Sequence, residues 1–217
     1  MTKKNFFLLL LSLYFLFSCG HGGDVALQAG DLLFQSGKNG LSGAIEAVTE
    51  GRDGYHFSHV GMLVPDSSGR LWVIEAIGNG VQLTPVDTFL QRGARVALGR
   101  VKDEYKPLLP AAMAFAVQQT GTPYDEEYLY GNGKYYCSEL IYDAFLAANN
   151  HVPFFTLEPM TFKSPATGAF LEEWIQHYQK LNIPVPESEL GCNPGGLSRS
   201  EKIEIKNFKV RSQITGN

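Results

Sequence analysis

Cys137 stands at the start of a segment whose residue types and spacing suit a reactive thiol. It follows a Gly131-Asn132-Gly133 break, and helical steps from it reach the apolar residues Leu140, Ile141, Ala144, Phe145 and Ala148. A helix over about 136–148 therefore places the thiol in its first turn, where backbone N–H groups and the helix dipole favour an anion. Cysteines in such positions are often nucleophiles. The alternative is a small buried apolar residue, which is the commoner role of a free cysteine.

A nucleophilic thiol needs a base, and two histidines three residues apart supply candidates. His59 begins an apolar stretch that predicts a strand over 59–64, whereas His56 lies nearer the preceding loop. Glu75 is a lone carboxylate in a second predicted strand, Leu71–Ile77, and it needs a partner because an unpaired buried charge is costly. If the two strands form a hairpin about the turn at 65–69, Glu75 can orient His59. The pattern predicts a nucleophile, a base and an orienting group.

Two other interpretations of these residues remain open at this stage. His59 is a structural histidine if no partner is available to it. His56, His59, Glu75 and a cysteine are also ligand types that zinc accepts, but their spacing matches no established zinc pattern. We therefore predict neither a metal nor another cofactor.

The other elements predict an α+β domain with an antiparallel sheet packed against helices, because strands follow one another before the helices begin. Thr84-Pro85 predicts a helix start with Thr84 as the cap. The remaining patterns predict a turn and strand within 27–35, a helix over 41–49, a strand over 81–83, a strand over 95–101, and then helices over 107–119 and 168–181 and a last strand over 203–210.

Composition and the amino-terminal segment indicate where such a domain works. The chain has 217 residues and a formal charge of −4, and it lacks a basic block, which argues against nucleic-acid binding. Lys3 and Lys4 precede an uncharged apolar run that is too short to span a bilayer, the pattern of a secretory signal peptide. Leu16-Phe17-Ser18-Cys19 resembles a bacterial lipoprotein cleavage box, with Cys19 lipidated. We predict a signal peptide over 1–18, a lipidated cysteine and tether over 19–29, and a catalytic domain over 30–217.

Four motifs in order resemble the YiiX-like permuted papain-like enzymes of the NlpC/P60 superfamily, which are cysteine peptidases and amidases. The motifs are Gly30-Asp31-Leu32-Leu33-Phe34-Gln35, Ser58-His59-Val60-Gly61, Val73-Ile74-Glu75-Ala76 and Tyr136-Cys137-Ser138-Glu139-Leu140. The resemblance implies a circularly permuted papain-like fold, in which the histidine precedes the cysteine along the chain.

The same resemblance implies roles for individual residues. Cys137 would be the nucleophile, His59 the general base and Glu75 the orienting residue, with the Cys137 backbone N–H in the oxyanion hole. Gly121-Thr122-Pro123-Tyr124-Asp125 also resembles a family segment whose tyrosine lies near the site. We predict that Tyr124, and Tyr136 beside the cysteine, contact the substrate.

The leading hypothesis is an amide hydrolase of the cell envelope that forms a thioester acyl-enzyme. Its substrate would be a peptide or a lipid amide, its membrane attachment would depend on the Cys19 lipid, and its oligomeric state is left open. An acyltransferase with the same three residues is an alternative, and a non-catalytic lipid- or peptide-binding module is another. A disulfide between Cys137 and Cys192 would favour the binding module, because it would block the thiol.

Overall fold

The computed structural model describes residues 25–37 and 40–207. The predicted signal peptide and lipidated Cys19 lie outside these residues. None of the helices within them has the length and hydrophobicity needed to cross a bilayer.

A six-stranded antiparallel sheet forms the centre of the described residues. The strands of the described residues are β1 (Leu32–Ser36), β2 (His59–Pro65), β3 (Leu71–Ile77), β4 (Gly80–Pro85), β5 (Arg95–Val101), β6 (Glu158–Pro159), β7 (Leu190–Gly191) and β8 (Ile203–Asn207). Strands β6 and β7 pair only with each other, and the other six form the large sheet. The order across the large sheet is β4-β3-β2-β1-β5-β8. The β2–β3 hairpin predicted around the turn at 65–69 is present, with Met62 opposite Ile74.

Among residues 25–37 and 40–207, six α-helices cover the sheet and fill the space beside it. They are α1 (Leu41–Val48), α2 (Val86–Arg92), α3 (Leu109–Gln118), α4 (Cys137–Ala148), α5 (Glu172–Leu181) and α6 (Pro194–Ser198), with 3-10 turns at Arg52–Gly54 and Asp103–Leu108. Helix α4 packs against α3 and against strands β2 and β3, so the helix that begins at Cys137 lies directly on the sheet.

The alternation of side chains along the strands separates two apolar clusters. Met62 and Ile74 are fully buried in the larger cluster together with Leu140 of α4. The intervening positions, such as Leu63, belong to a smaller cluster with Phe89 of α2. Because successive strand residues point to opposite faces, the sheet has helices on both sides. The predicted fold class, an antiparallel sheet packed against helices, is confirmed.

The helix boundaries show where local signals were incomplete. The helix predicted from residue 107 begins at 109, because residues 103–108 form a 3-10 turn that contains Pro107. The helix predicted from 168 begins at 172. Both shifts are at amino termini, where helix assignment depends on caps and not on the apolar face.

The amino-terminal end of the described chain is fastened to the sheet through an ion pair. Arg100 donates to both carboxylate oxygens of Asp31, at 2.8 and 2.7 Å, and its Nη2 also donates to the Ala26 carbonyl. The Gln28 backbone N–H donates to the same carboxylate. Residues 26–28, which the sequence places in the tether, therefore already contact the domain.

Candidate active site

Cys137 is the first residue of α4, and the extended residue Tyr136 is the helix cap. The Cys137 side chain is buried. The first N–H groups of an α-helix have no partner within the helix, and within the described residues no side chain caps this end. The thiol thus lies beside N–H groups that can stabilise a negative charge.

The chain just before Cys137 is held by two sets of contacts. Glu139 accepts a hydrogen bond from the Gly131 backbone N–H at 2.8 Å, and burial raises the pKa of this carboxyl to about 8. The Tyr135 N–H donates to the Pro123 carbonyl, and the Asp125 N–H donates to the Tyr135 carbonyl. These bonds bring the 123–125 segment alongside the residues that lead into α4.

His59 is the first residue of β2 and faces Glu75 of β3. The His59 Nε2 and Glu75 Oε2 atoms are 2.6 Å apart. Since an ionised carboxylate only accepts hydrogen bonds, Nε2 carries the proton and Nδ1 is the ring nitrogen left for the Cys137 thiol. The hairpin therefore produces the His59–Glu75 contact expected from the sequence.

The charges around His59 stabilise its protonated form. Burial alone would lower its pKa, but the charge of Cys137, a hydrogen bond with the Cys137 side chain and the Glu75 carboxylate raise the pKa to about 9. An imidazole with this pKa is an imidazolium at neutral pH. His59 can therefore donate a hydrogen bond from both ring nitrogens, one to Glu75 and one towards the Cys137 side chain.

Glu75 is fully buried, and two further residues hold it. Arg92 Nη2 lies 2.5 and 2.7 Å from the two carboxylate oxygens, and the Thr84 hydroxyl donates to Oε1 at 2.5 Å. Burial would raise the Glu75 pKa, but the hydrogen bond and charge of His59, with Thr84 and Arg92, lower it overall. Glu75 is therefore an ionised carboxylate with a fixed orientation.

Thr84 corrects one sequence prediction. It does not cap helix α2, because β4 continues through Pro85 and that proline is the cap. The Thr84 hydroxyl is used on Glu75 instead. Neither Thr84 nor Arg92 was predicted as a site residue.

The family to which this arrangement belongs follows from comparison with known proteins. A model described as "Permuted papain-like amidase enzyme, YaeF/YiiX, C92 family" matches residues 26–203. The chain belongs to this family. The family is described as one of permuted papain-like amidases, and its fold is the one that the sequence motifs predicted.

This C92 chain is similar to a curated sequence and to a crystal structure, and both are of the YiiX protein of Escherichia coli. The curated sequence, described as an uncharacterized protein, is 29% identical over 125 residues, which are 54% of this chain and 57% of YiiX. The chain thus matches little more than half the length of this relative. The crystal structure of YiiX from strain O157:H7 aligns with a TM-score of 0.68 at 22% identity, covering 84% of this chain and 98% of that one. This second likeness supports the fold.

The YiiX of that crystal structure is described as a metalloprotein, so the donor set of this C92 chain was compared with what a metal needs. No group of three or more His, Cys, Asp or Glu side chains suited to a metal lies within the residues that are described. His56 Nδ1 is 2.8 Å from the Glu46 carbonyl, and the Glu75 oxygens are occupied by Arg92, Thr84 and His59. These residues do not fit a metal centre.

The two tyrosines predicted to contact substrate differ in their burial and in their partners. Tyr124 is half-buried, and burial, followed by the charges of Tyr128 and Cys137, raises its pKa. Tyr136 is buried, and its hydroxyl accepts a hydrogen bond from the Cys192 backbone N–H at 3.1 Å. Cys137 and Cys192 are free thiols. Tyr136 therefore fastens the segment around Cys192 to the start of α4.

The raised pKa of His59 leads to a prediction that NMR can check. The imidazole resonances of His59 should titrate with a midpoint near pH 9, and replacing Cys137 with alanine should lower that midpoint by removing a negative neighbour. Because the folded-state pKa lies above the unfolded value of about 6.5, the stabilisation is complete below pH 6.5 and is lost as the pH rises through 9. A midpoint at or below 6.5 would contradict the ion pair.

Proposed function

We propose that this C92 enzyme hydrolyses an amide bond through a thioester acyl-enzyme, with Cys137 as nucleophile, His59 as acid–base catalyst and Glu75 as the residue that orients His59. One observation carries the proposal. The His59 ring is fixed by Glu75 at 2.6 Å through Nε2, which leaves the other nitrogen for the thiol at the start of α4.

The proposed reaction follows from the positions of these groups and from the raised pKa of His59. The Cys137 thiolate attacks the amide carbonyl, and the tetrahedral oxyanion forms beside the N–H groups at the α4 amino terminus. Protonated His59 then gives its proton to the leaving amine, which lets the C–N bond break and leaves a thioester on Cys137. Neutral His59 next removes a proton from water, and the hydroxide attacks the thioester carbonyl. The C–S bond then breaks, which releases the acid and returns the Cys137 thiolate beside protonated His59.

Tyr124 is proposed as a substrate contact beside this centre. Its ring is half-buried, it adjoins the segment leading to Cys137, and its hydroxyl is 3.4 Å from that of Tyr128. Tyr136 is proposed to shape the site through its ring, since its hydroxyl is occupied by Cys192.

Alkylation of the full chain with iodoacetamide at pH 7 tests the reactive thiol before any substrate is known. Peptide mapping should find rapid modification of Cys137 and slow modification of Cys192, because burial raises the pKa of the Cys192 thiol. The His59→Ala variant should lose most of the Cys137 rate while Cys192 is unchanged. Equal rates at the two cysteines would remove the support for Cys137 as the nucleophile.

We also propose that the enzyme is attached to the cell envelope through lipid on Cys19. The support is the sequence alone, a cationic start, an apolar run and the Leu16-Phe17-Ser18-Cys19 box. In a bacterial host, the full chain should sediment with membranes and the Cys19→Ser variant should not, since the acyl chains supply the anchor. A Cys192→Ser variant is the matched control and should stay with the membranes. Membrane association of both variants would exclude this anchor.

A further inference from the structure

Two cavities meet at the proposed catalytic pair, and each is lined by one member of it. Cys137 lines the first, which we call the Cys137 cavity, and His59 lines the second, which we call the His59 cavity. Ile45, Ser58 and Tyr128 line both, so the two cavities are neighbours on either side of these residues.

The walls of the Cys137 cavity are mainly apolar, although serine, threonine, tyrosine and asparagine side chains also line it. They include Val48, Met160, Phe162, Trp174 and Pro194. The serine and threonine hydroxyls of this lining donate elsewhere. Thr49 donates to the Phe57 carbonyl and Ser138 to the Cys192 carbonyl, and Ser58 and Thr161 donate to the carboxylates of Glu46 and Glu187. A polar group placed here would lose its water without gaining those hydroxyls as donors, which is unfavourable.

The volumes of the two cavities differ widely. The Cys137 cavity measures about 40 Å³ and the His59 cavity about 320 Å³. An engineered apolar cavity of about 150 Å³ is large enough to bind benzene. The smaller space therefore suits a group of one to a few carbon atoms and is too small for a long acyl chain.

The chemistry of acyl transfer decides which part of a substrate lies in which cavity. The leaving amine must come within hydrogen-bonding distance of the group that protonates it, which is His59. The acyl carbon becomes bonded to the Cys137 sulfur, so its substituent lies on the Cys137 side. We propose that the Cys137 cavity is the acyl subsite and selects short apolar acyl groups, from methyl to isopropyl in size, with the amine portion in the His59 cavity. This proposal rests on the proposed function and narrows its substrate class.

Acylation of Cys137 by simple thioesters tests the subsite without a known amide substrate. In this exchange the thiolate attacks the thioester carbonyl, a new carbon–sulfur bond forms at Cys137, the old one breaks, and the released thiolate takes a proton from His59. Acetyl, isobutyryl and octanoyl thioesters of one common thiol are compared, with each rate on the Cys137 peptide divided by the rate for free cysteine. We expect octanoyl to react at least about ten-fold more slowly than isobutyryl, since a few methylenes change recognition by this much.

Two variants change the size of the cavity in opposite directions. Val48→Trp should slow acylation of Cys137 by the isobutyryl thioester about ten-fold and acylation by the acetyl thioester less than about two-fold. Met160→Ala should speed acylation by the octanoyl thioester. Val117→Trp, at an exposed position of α3, should leave all three rates unchanged. Circular dichroism and melting temperatures check that each variant folds, and Met160→Ala still tests the cavity if Val48→Trp does not fold.

The outcomes separate the subsite from the proposed function. If octanoyl reacts as fast as isobutyryl in the unmodified chain, or if Val48→Trp slows all three equally, the acyl subsite is wrong while Cys137 remains the nucleophile. If no thioester acylates Cys137 and iodoacetamide does not label it, the proposed function itself fails.

Discussion

Replacing Cys137 with alanine is expected to abolish amide hydrolysis, with a loss of about 10⁴-fold or more in kcat/KM. The thioester cannot form without the Cys137 sulfur. The alanine that replaces this buried side chain at the start of α4 has no nucleophilic group. Alanine is a good helix residue and removes only one buried atom, so the free energy of unfolding should change by about 1 kcal/mol or less. Rates and urea denaturation on the same preparation separate loss of chemistry from loss of fold.

The second free cysteine provides the comparison for this experiment. Cys192 is also buried, but its sulfur lies 3.7 Å from the Tyr136 hydroxyl and its thiol has no base beside it among the described residues. The Cys192→Ala variant should therefore retain turnover. If Cys137→Ala keeps more than a small fraction of the rate while Cys192→Ala loses it, the two cysteines have been assigned the wrong roles.

Much of the fold and the central contact could be predicted because they depend on short-range patterns. Strands Leu71–Ile77 and Arg95–Val101 match the predicted bounds. The His59–Glu75 contact arises from a hairpin with a strong turn signal, and a carboxylate inside an apolar strand needs a partner within reach. Both are properties of neighbouring segments, which a sequence displays directly.

Thr84 and Arg92, which hold Glu75, could not be predicted in the same way, because they come from the next strand and helix. Glu75 pairs with Gln82 across β3 and β4, so Thr84 lies on the same face two residues further along. That register was available in principle from the turn at 78–80, but Thr84-Pro85 also matches a helix start. Arg92 depends on the packing of α2 over the sheet, which no local pattern specifies.

The two free cysteines show a limit of a different kind. Counting cysteines left a Cys137–Cys192 disulfide open, because sequence gives no distance between loops far apart in the chain. In the fold, the Cys192 backbone N–H and sulfur both contact the hydroxyl of Tyr136, the residue before Cys137, yet both thiols are free. Only tertiary structure distinguishes a nearby thiol from a bonded one.

Replacing Glu75 with glutamine is expected to give the second largest effect on the rate, a loss of about 10²–10⁴-fold in kcat. The amide keeps the size of the side chain but loses the charge that helps to raise the pKa of His59. The alkaline limb of kcat/KM, expected near pH 9, should therefore move to lower pH. Substrate affinity should change little, because Glu75 is fully buried and holds His59.

The same substitution also leaves Arg92 without its counter-ion, and this permits a test of how the carboxylate is held. The Arg92 side chain is 32% exposed, so solvent offsets part of the loss and the free energy of unfolding should fall by about 1–2 kcal/mol, less than for a fully buried pair. Arg92→Lys keeps a positive charge and should retain more activity than Arg92→Met, while Glu104→Gln on the surface should match the unmodified enzyme. An alkaline limb that stays near pH 9 in Glu75→Gln would show that Glu75 does not act on His59 through its charge.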